Sequence, residues 1–223
     1  MQIISLTKAD QVRHAILLQI LSGELRPGQR LLESGLSKEL GVSHATVNGA
    51  LQDLHNQGLV TRLLNRSTNV NRYTRGEIEN LFAVRLVLEP AAAAAVSASW
   101  TIESKNRLSE QVDLMRLAAR TKDLPKFCLA DYQFHQEIYR LTGNPFLIQA
   151  CQAIAAAPFA YILCDHLEAL PTDYLGLAED HQSLVHAMEQ GPETASRVTR
   201  NNIEDWLRHS LHALEPVSAP VNS

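Results

Sequence analysis

The chain has 223 residues, of which 45% are hydrophobic and 20% charged, and its formal net charge is −4. This length and composition predict two soluble globular domains. The N-terminus has neither a basic start nor a long apolar core, so we expect no signal peptide, and the longest apolar run, at 153–164, is too short to span a bilayer. The three cysteines form no Cys-x-x-Cys pair and are expected to be buried reduced thiols, so we expect a cytoplasmic protein with no membrane partner.

The charge is distributed unevenly along the chain. Residues 1–75 contain nine basic and five acidic side chains, a net charge of +4, which leaves −8 for the remainder. A basic N-terminal part on an acidic body suits a module that binds a polyanion. A net charge of +4 also arises by chance. It can therefore support a DNA-binding motif in the sequence, but it is not evidence of DNA binding without one.

The N-terminal part predicts a helix-turn-helix. A first helix is predicted at 9–21, and Pro27-Gly28 then turns the chain. In the stretch LSKELGVSHATVNGAL at 36–51, Gly41 permits a sharp bend between two helices, and Ser43 is a typical N-cap of the second. A helix, a tight turn and a second helix form the motif that presents its second helix to the major groove of DNA.

The residues behind this motif predict a winged helix followed by an all-helical domain. Gly58 begins an apolar run, residues 65–67 turn it, and 68–71 return, which indicates a hairpin wing. We expect the winged helix at 1–72, a linker at 73–76, the second domain at 77–215 and a disordered tail at 216–223. Thr74-Arg-Gly-Glu77 is a capping box that opens a helix containing Pro90, which should bend that helix or end it early. Further helices are predicted after the cap Thr101 and at 124–141, 145–168, 175–190 and 193–214, and no strand after Val70, so the fold class is mostly α.

The order of these elements resembles a known family. Residues 11–28, QVRHAILLQILSGELRPG, followed by QRLLE, are similar to the opening of GntR-type transcription regulators, and the C-terminal part resembles the all-helical FCD effector domain of the FadR-like branch. The resemblance implies a ligand-responsive, DNA-binding transcription regulator, by default a repressor. It implies a homodimer on a double-stranded operator, because two related reading heads match a near-palindromic site. It also implies a protein that is not an enzyme.

The predicted DNA-reading helix departs from this family. The family usually has arginines at the positions of His44 and Asn48, and often another at the position of Ser34. Without them binding should be weaker or should change its sequence preference, and Asn48 could instead read adenine through its amide. The predicted DNA-contacting residues are Ser34, Ser43, His44, Thr46, Asn48, Arg62 and Arg66. The alternative is a helical effector-binding dimer that has lost specific DNA binding.

A second group of residues predicts a metal site. Asp131 and His135 are four residues apart on one flank of a helical apolar stripe, and His181 begins another such stripe, so all three should face the bundle interior. The resemblance implies that they hold a divalent metal ion such as Zn or Ni, and that a fourth histidine belongs where this chain has Ile203. Asn202 beside it is a doubtful fourth ligand. Two alternatives remain open: a pocket that binds its effector without metal, or an Asp131 and a His135 that only hydrogen-bond each other.

The effector implied by the resemblance is a small organic acid. Arg85 matches a position at which related regulators hold a carboxylate, and a guanidinium is suited to bidentate contact. Asn202 and His209 are further candidate contacts. The competing interpretation of Arg85 is a surface ion pair with Glu89, one helical turn away.

A metal-dependent enzyme is a third possibility for the function of the protein. Against it, no convincing general base or nucleophile accompanies Asp131, His135 and His181.

Overall fold

The computed structural model describes residues 7–62, 67–154 and 173–213. Arg66 and the turn of the wing, the later part of the predicted helix at 145–168, and the predicted tail at 216–223 lie outside the described residues. The described part is mostly helical, with a small sheet near the N-terminus. The predicted fold class is therefore confirmed.

The N-terminal domain is a winged helix. Its helices are α1 (Lys8–Leu21), α2 (Glu33–Leu40) and α3 (His44–Asn56). Its strands are β1 (Arg30–Leu31), β2 (Val60–Arg62) and β3 (Thr68–Val70), in the antiparallel order β1-β3-β2. The sequence predicted β2 and β3 but not β1, because two residues are too few to show an alternating pattern.

The turn between α2 and α3 follows the predicted chemistry. Gly41 ends α2 with φ of 64°, a left-handed conformation that glycine adopts without steric cost. Ser43 then caps α3, and its hydroxyl accepts a hydrogen bond from the backbone N–H of Thr46 at 3.1 Å. Val47, Leu51 and Leu54 are fully buried, so α3 is held from behind and presents its other face outward.

The second domain is a bundle of helices. In chain order they are α4 (Arg75–Ala98), α5 (Ile102–Thr121), α6 (Leu124–Leu141), α7 (Pro145–Ile154), α8 (Tyr174–Gln190) and α9 (Pro192–Ala213). The last helix packs along α4, and α5 packs against both α6 and α8. The buried faces of these helices form one apolar core, in which Phe134 on α6 is completely buried.

Helix α4 begins at the predicted capping box and continues through its proline. The Thr74 hydroxyl accepts from the Glu77 N–H, and the Glu77 carboxylate accepts from the Thr74 N–H at 2.8 Å. Pro90 lies within the helix and is buried, so it does not end the helix. By length and composition α4 is the one helix among the described residues that could cross a membrane, but half of its most apolar segment is buried inside the protein, as in a core helix.

The cysteines only partly match the expectation of reduced thiols. Cys151 is a buried free thiol, and burial raises its pKa to about 12. Cys128 on α6 is disulfide-bonded, so the expectation was wrong for this residue. Spacing alone could not reveal that bond, because a pairing depends on which chain segments the fold brings together.

The two domains meet through α1, α6 and α7. Tyr132 on α6 lies beside Arg13 of α1 and is mostly buried. Next to this contact is a polar cleft of about 500 Å³, lined by Arg13, Asp53, Asn56, Gln57, Gln149 and Gln152. The end of α3 and the bundle helix α7 therefore face each other across a cleft lined by polar groups.

Two glycines of the helix-turn-helix should respond oppositely to alanine. A methyl group added at Gly41 or Gly49 would contact nothing within 4 Å, so the backbone conformation alone determines the effect of alanine on stability. Gly41→Ala should lower the free energy of unfolding by about 1 kcal/mol, because of its left-handed φ. Gly49→Ala should raise it by about 1 kcal/mol, because Gly49 lies inside a helix. Urea unfolding followed by circular dichroism measures both, and a shift in the same direction for the two variants contradicts this account.

Candidate functional site

The three predicted metal ligands come together inside the helical domain. Asp131 and His135 lie on α6, and His181 lies on α8. One potential ligand atom from each of the three lies within 4.8 Å of the others, and all three side chains are buried. Among the residues that the structure describes, this is the one group of His, Cys, Asp or Glu side chains with such spacing.

The tautomer of His181 follows from its backbone contact. Its Nδ1 lies 2.8 Å from the carbonyl oxygen of Leu177, which can only accept, so Nδ1 carries a proton. Its Nε2 lies 2.8 Å from Oδ1 of Asp131. If the imidazole is neutral, its one proton is on Nδ1, and the lone pair of Nε2 would face the carboxylate oxygen of Asp131 and be repelled by it. A cation between or beside the two atoms, either a proton on Nε2 or a metal ion, is therefore required for stability.

Asp131 is a buried carboxylate with unused acceptor capacity. Neither oxygen accepts a hydrogen bond of normal geometry from any described residue, and the close Nε2 of His181 approaches outside that geometry. Burial by itself would raise the pKa of Asp131, but His181, with smaller contributions from His135 and Arg85, outweighs burial and lowers that pKa, so the group is ionised. A buried, ionised carboxylate with unsatisfied oxygens is suited to ligating a cation.

The two histidines differ in their proton affinity. Burial would lower the pKa of His181, but the adjacent Asp131 carboxylate outweighs burial and raises it. Burial lowers the pKa of His135, which makes this imidazole neutral at pH 7. Neutral imidazole is the form that ligates a metal ion. Phe134 meets both rings edge to face, at centroid distances of 5.6 Å from His135 and 4.9 Å from His181, and so restricts their rotation.

A buried ion pair on α4 borders this cluster. Arg85 donates to both carboxylate oxygens of Glu89, at 2.6 and 3.1 Å, and both side chains are almost completely buried. The competing interpretation of Arg85 gave the right partner but the wrong location, because Arg85 lies within the buried stripe of α4 and not beside it. The same carboxylate lies 3.7 Å from Nδ1 of His135, so Glu89 connects the ion pair to the ligand cluster.

The residues at and near the family's fourth histidine position differ in their exposure. Ile203 on α9 is 1% exposed and cannot ligate. Asn202 beside it is half-buried, whereas His209 is exposed, with Nδ1 2.7 Å from the carbonyl oxygen of Asp205. The alternative, a hydrogen bond between Asp131 and His135, is not found among the described residues, since the short contact of Asp131, at 2.8 Å, is with His181.

The predicted DNA-contacting residues that the structure describes, all except Arg66, are found in three different states. Ser34, His44 and Asn48 are exposed. Ser43 and Thr46 share a hydrogen bond between their hydroxyls at 2.8 Å, which belongs to the cap of α3. Arg62 on β2 is held by Glu33.

Comparison with protein families accounts for both domains. The model described as "Bacterial regulatory proteins, gntR family" matches residues 8–70, and the FCD domain model matches residues 80–205. The chain belongs to the gntR family of bacterial regulatory proteins, with an FCD domain. It is therefore a DNA-binding transcription regulator and not an enzyme, which excludes the metal-dependent enzyme considered above.

Individual relatives agree with this assignment over nearly the whole chain. This gntR-family regulator is 26% identical over 218 residues to a Paenarthrobacter nicotinovorans protein named "Probable D-xylose utilization operon transcriptional repressor", covering 97% of this chain and 95% of that one. It is 24% identical over 175 residues to the gluconate operon transcriptional repressor of Bacillus licheniformis, covering 77% and 72%. The solved structure of E. coli McbR/YncC has a TM-score of 0.80 at 19% identity, covering 95% of this chain and all of that one, which shows a shared fold.

Sequence reasoning about this regulator missed the buried partners of the predicted ligands. Glu89 was considered only as a surface residue, and Tyr139, also completely buried, was not considered. Burial raises the pKa of Tyr139 well above its usual value, and Glu89 raises it further. The available signal was the spacing of Arg85, Glu89 and Ala92, which continues the apolar positions of α4 toward the core.

Removing one partner of the buried ion pair on α4 should lower the stability of the protein more than replacing both partners. Glu89→Leu should lower the free energy of unfolding by about 3–5 kcal/mol, because the Arg85 guanidinium loses its bidentate carboxylate while it stays buried. Arg85→Met combined with Glu89→Leu should recover most of this loss. Glu79→Leu is the matched control, since Arg75 and Glu79 form an exposed pair of the same spacing on the same helix, and it should change stability by less than about 1 kcal/mol. Equal losses in the single and double variants, from urea unfolding, would contradict the buried-pair account.

Proposed function

We propose that this regulator is a cytoplasmic, homodimeric repressor whose DNA binding responds to a small carboxylate held in a metal-containing pocket of the FCD domain. The observation that carries the proposal is the buried cluster of Asp131, His135 and His181 behind a winged helix. The repressor role is supported by relatives that are named as operon repressors. The alternative is an effector-binding dimer that no longer binds a specific operator.

The cluster fits a divalent metal ion. Asp131, His135 and His181 would hold it, and the Nδ1–H of His181 on the Leu177 carbonyl is the kind of outer contact that orients a ligating imidazole. The Glu89 carboxylate, 3.7 Å from Nδ1 of His135, is beyond hydrogen-bond distance and would act on that imidazole through its charge. A bound divalent ion would supply a Lewis-acid anchor for an effector oxygen. Because the chain offers three ligands and the apolar Ile203 in place of a fourth, more than one coordination position is left for the effector.

The contacts open to an effector are limited by the contacts that Arg85, Asn202 and His209 already make and by their exposure. Arg85 already holds the carboxylate of Glu89 in the buried pair, so an effector carboxylate would have to share the guanidinium with Glu89. The metal ion is therefore the first anchor in this proposal, with Arg85 second. Asn202, half-buried on α9, is better placed to contact the effector than His209, which is exposed.

Helix α6 provides a route from the pocket to the DNA-reading head. It carries Asp131 and His135 on its inner face, while the neighbouring Tyr132 lies beside Arg13 of α1. A ligand that draws α6 and α8 together would change the surface on which α1 rests. Such a ligand regulates DNA binding only by the difference in its affinity for the two head positions.

Metal binding by the pure protein tests the pocket. After dialysis against a chelator, zinc or nickel should bind at about one ion per chain, measured by calorimetry and by elemental mass spectrometry. Asp131→Ala, His135→Ala and His181→Ala should each weaken binding strongly, since each removes a ligand. His186→Ala is the matched control, because His186 is an exposed residue of the same helix as His181. Equal binding by the control and the ligand variants would refute the site.

Binding to the DNA upstream of its own gene tests the head. The protein should shift a discrete fragment at low salt, with an affinity that falls steeply with salt because phosphates release counterions. His44→Ala and Asn48→Ala should weaken that binding, whereas His14→Ala on α1, exposed and outside the reading helix, should not. Absence of any sequence-specific shift, with and without metal and candidate acids, would favour the alternative of a dimer that has lost DNA binding.

A further inference from the structure

One acidic side chain holds two of the groups proposed to meet DNA. Oε1 of Glu33, the first residue of α2, accepts a hydrogen bond from Nδ2 of Asn48 at 3.2 Å and another from Nη2 of Arg62 at 3.1 Å. Gln52, one turn after Asn48 on α3, accepts from Nη1 of Arg62 at 3.1 Å. These four residues, which we call the Glu33 network, join α2, α3 and β2 on the outer side of the helix-turn-helix.

We propose that Glu33 is a specificity-determining residue of DNA binding, which orients the amide of Asn48 toward the bases and withholds Arg62 from the phosphates. The inference rests on the proposed DNA-reading role of α3. It goes beyond that role, because it concerns a residue that would itself be repelled by the phosphates and touches no base.

The orientation of Asn48 follows from the chemistry of the carboxylate. An ionised carboxylate only accepts hydrogen bonds, so the amide group of Asn48 that meets Glu33 must be the NH₂ and not the oxygen. One amide proton is thereby used. The carbonyl oxygen and the second amide proton remain on the exposed side of α3, and this acceptor–donor pair is the one that matches the N6 and N7 positions of adenine.

Arg62 is withheld because its charge is already compensated. Its side chain is 20% exposed and that of Glu33 is 26% exposed, so the ion pair is shielded from water more than a free surface pair. Gln52 occupies a second edge of the same guanidinium. The wild-type head therefore gains less from phosphates than its count of basic residues suggests, and depends more on the base contact of Asn48.

The test compares two substitutions that remove the same charge from the same helix. Glu33→Gln removes the anion of the Glu33 network. Glu39→Gln is the matched control, since Glu39 also lies on α2 but bonds Gln19 of α1 at 2.9 Å. Each full-length variant is used to select bound duplexes from a random-sequence DNA library. Binding to one fixed duplex of unrelated sequence is then measured between low and moderate NaCl concentrations.

Glu33→Gln should bind the unrelated duplex more tightly than the wild type. The slope of log affinity against log salt should steepen by about one, because Arg62 gains a phosphate contact. Discrimination at one adenine in each half-site should fall about tenfold, because a glutamine can donate to the carbonyl oxygen of Asn48 and turn its amide. Glu39→Gln should match the wild type in both measurements.

A second pair of variants assigns the change in salt slope to Arg62. Arg62→Ala alone should leave the wild-type slope nearly unchanged, and Arg62→Ala combined with Glu33→Gln should restore the wild-type slope. If the wild type selects a sequence but Glu33→Gln behaves like Glu39→Gln, the inference fails while the proposed function stands. If the wild type selects no sequence, the proposed function fails and the inference fails with it.

Discussion

The burial of several charges in one helical domain is the constraint on which the rest of the structure depends. Asp131 and Glu89 are ionised carboxylates with almost no exposure, and each is stable only because a positive or polarisable group faces it. Arg85 serves Glu89 in this way, and the His181 imidazole, or a cation beside it, serves Asp131. Charges of this kind are costly to a fold, so their concentration between α4, α6 and α8 indicates a binding function.

The winged helix and the helical bundle are separate along the chain, but helices α6 and α7 of the bundle connect them. Helix α6 contributes two residues to the cluster and also contacts α1 of the head through Tyr132. On α7, Gln152 donates to Gln136 of α6 at 3.4 Å and also lines the polar cleft that α3 borders. The contact between head and bundle thus has a polar border beside an apolar core that is continuous through both domains.

The DNA-reading face has few strong positive charges and is organised instead by hydrogen bonds. Where relatives are expected to have arginine, this chain has Asn48, and its amide is tied to an acidic residue that also compensates Arg62. An amide in a fixed orientation can select a base, but it adds no affinity for phosphates. The Glu33 network therefore lowers the nonspecific affinity for phosphates and fixes the orientation of the Asn48 amide.

The sequence alone determined the helix-turn-helix with its cap and glycine, the capping box of α4, and the placement of the three candidate ligands on two apolar stripes. These features are local, because spacing along a helix decides which face a side chain occupies. Only the tertiary structure decided that Asp131 meets His181 and not His135, that Arg85 and Glu89 are buried, that Cys128 is disulfide-bonded, and that Glu33 holds Asn48 and Arg62. Each of these depends on a contact between elements, or on how deeply a helix face is covered, and periodicity does not encode which surfaces of the chain finally meet.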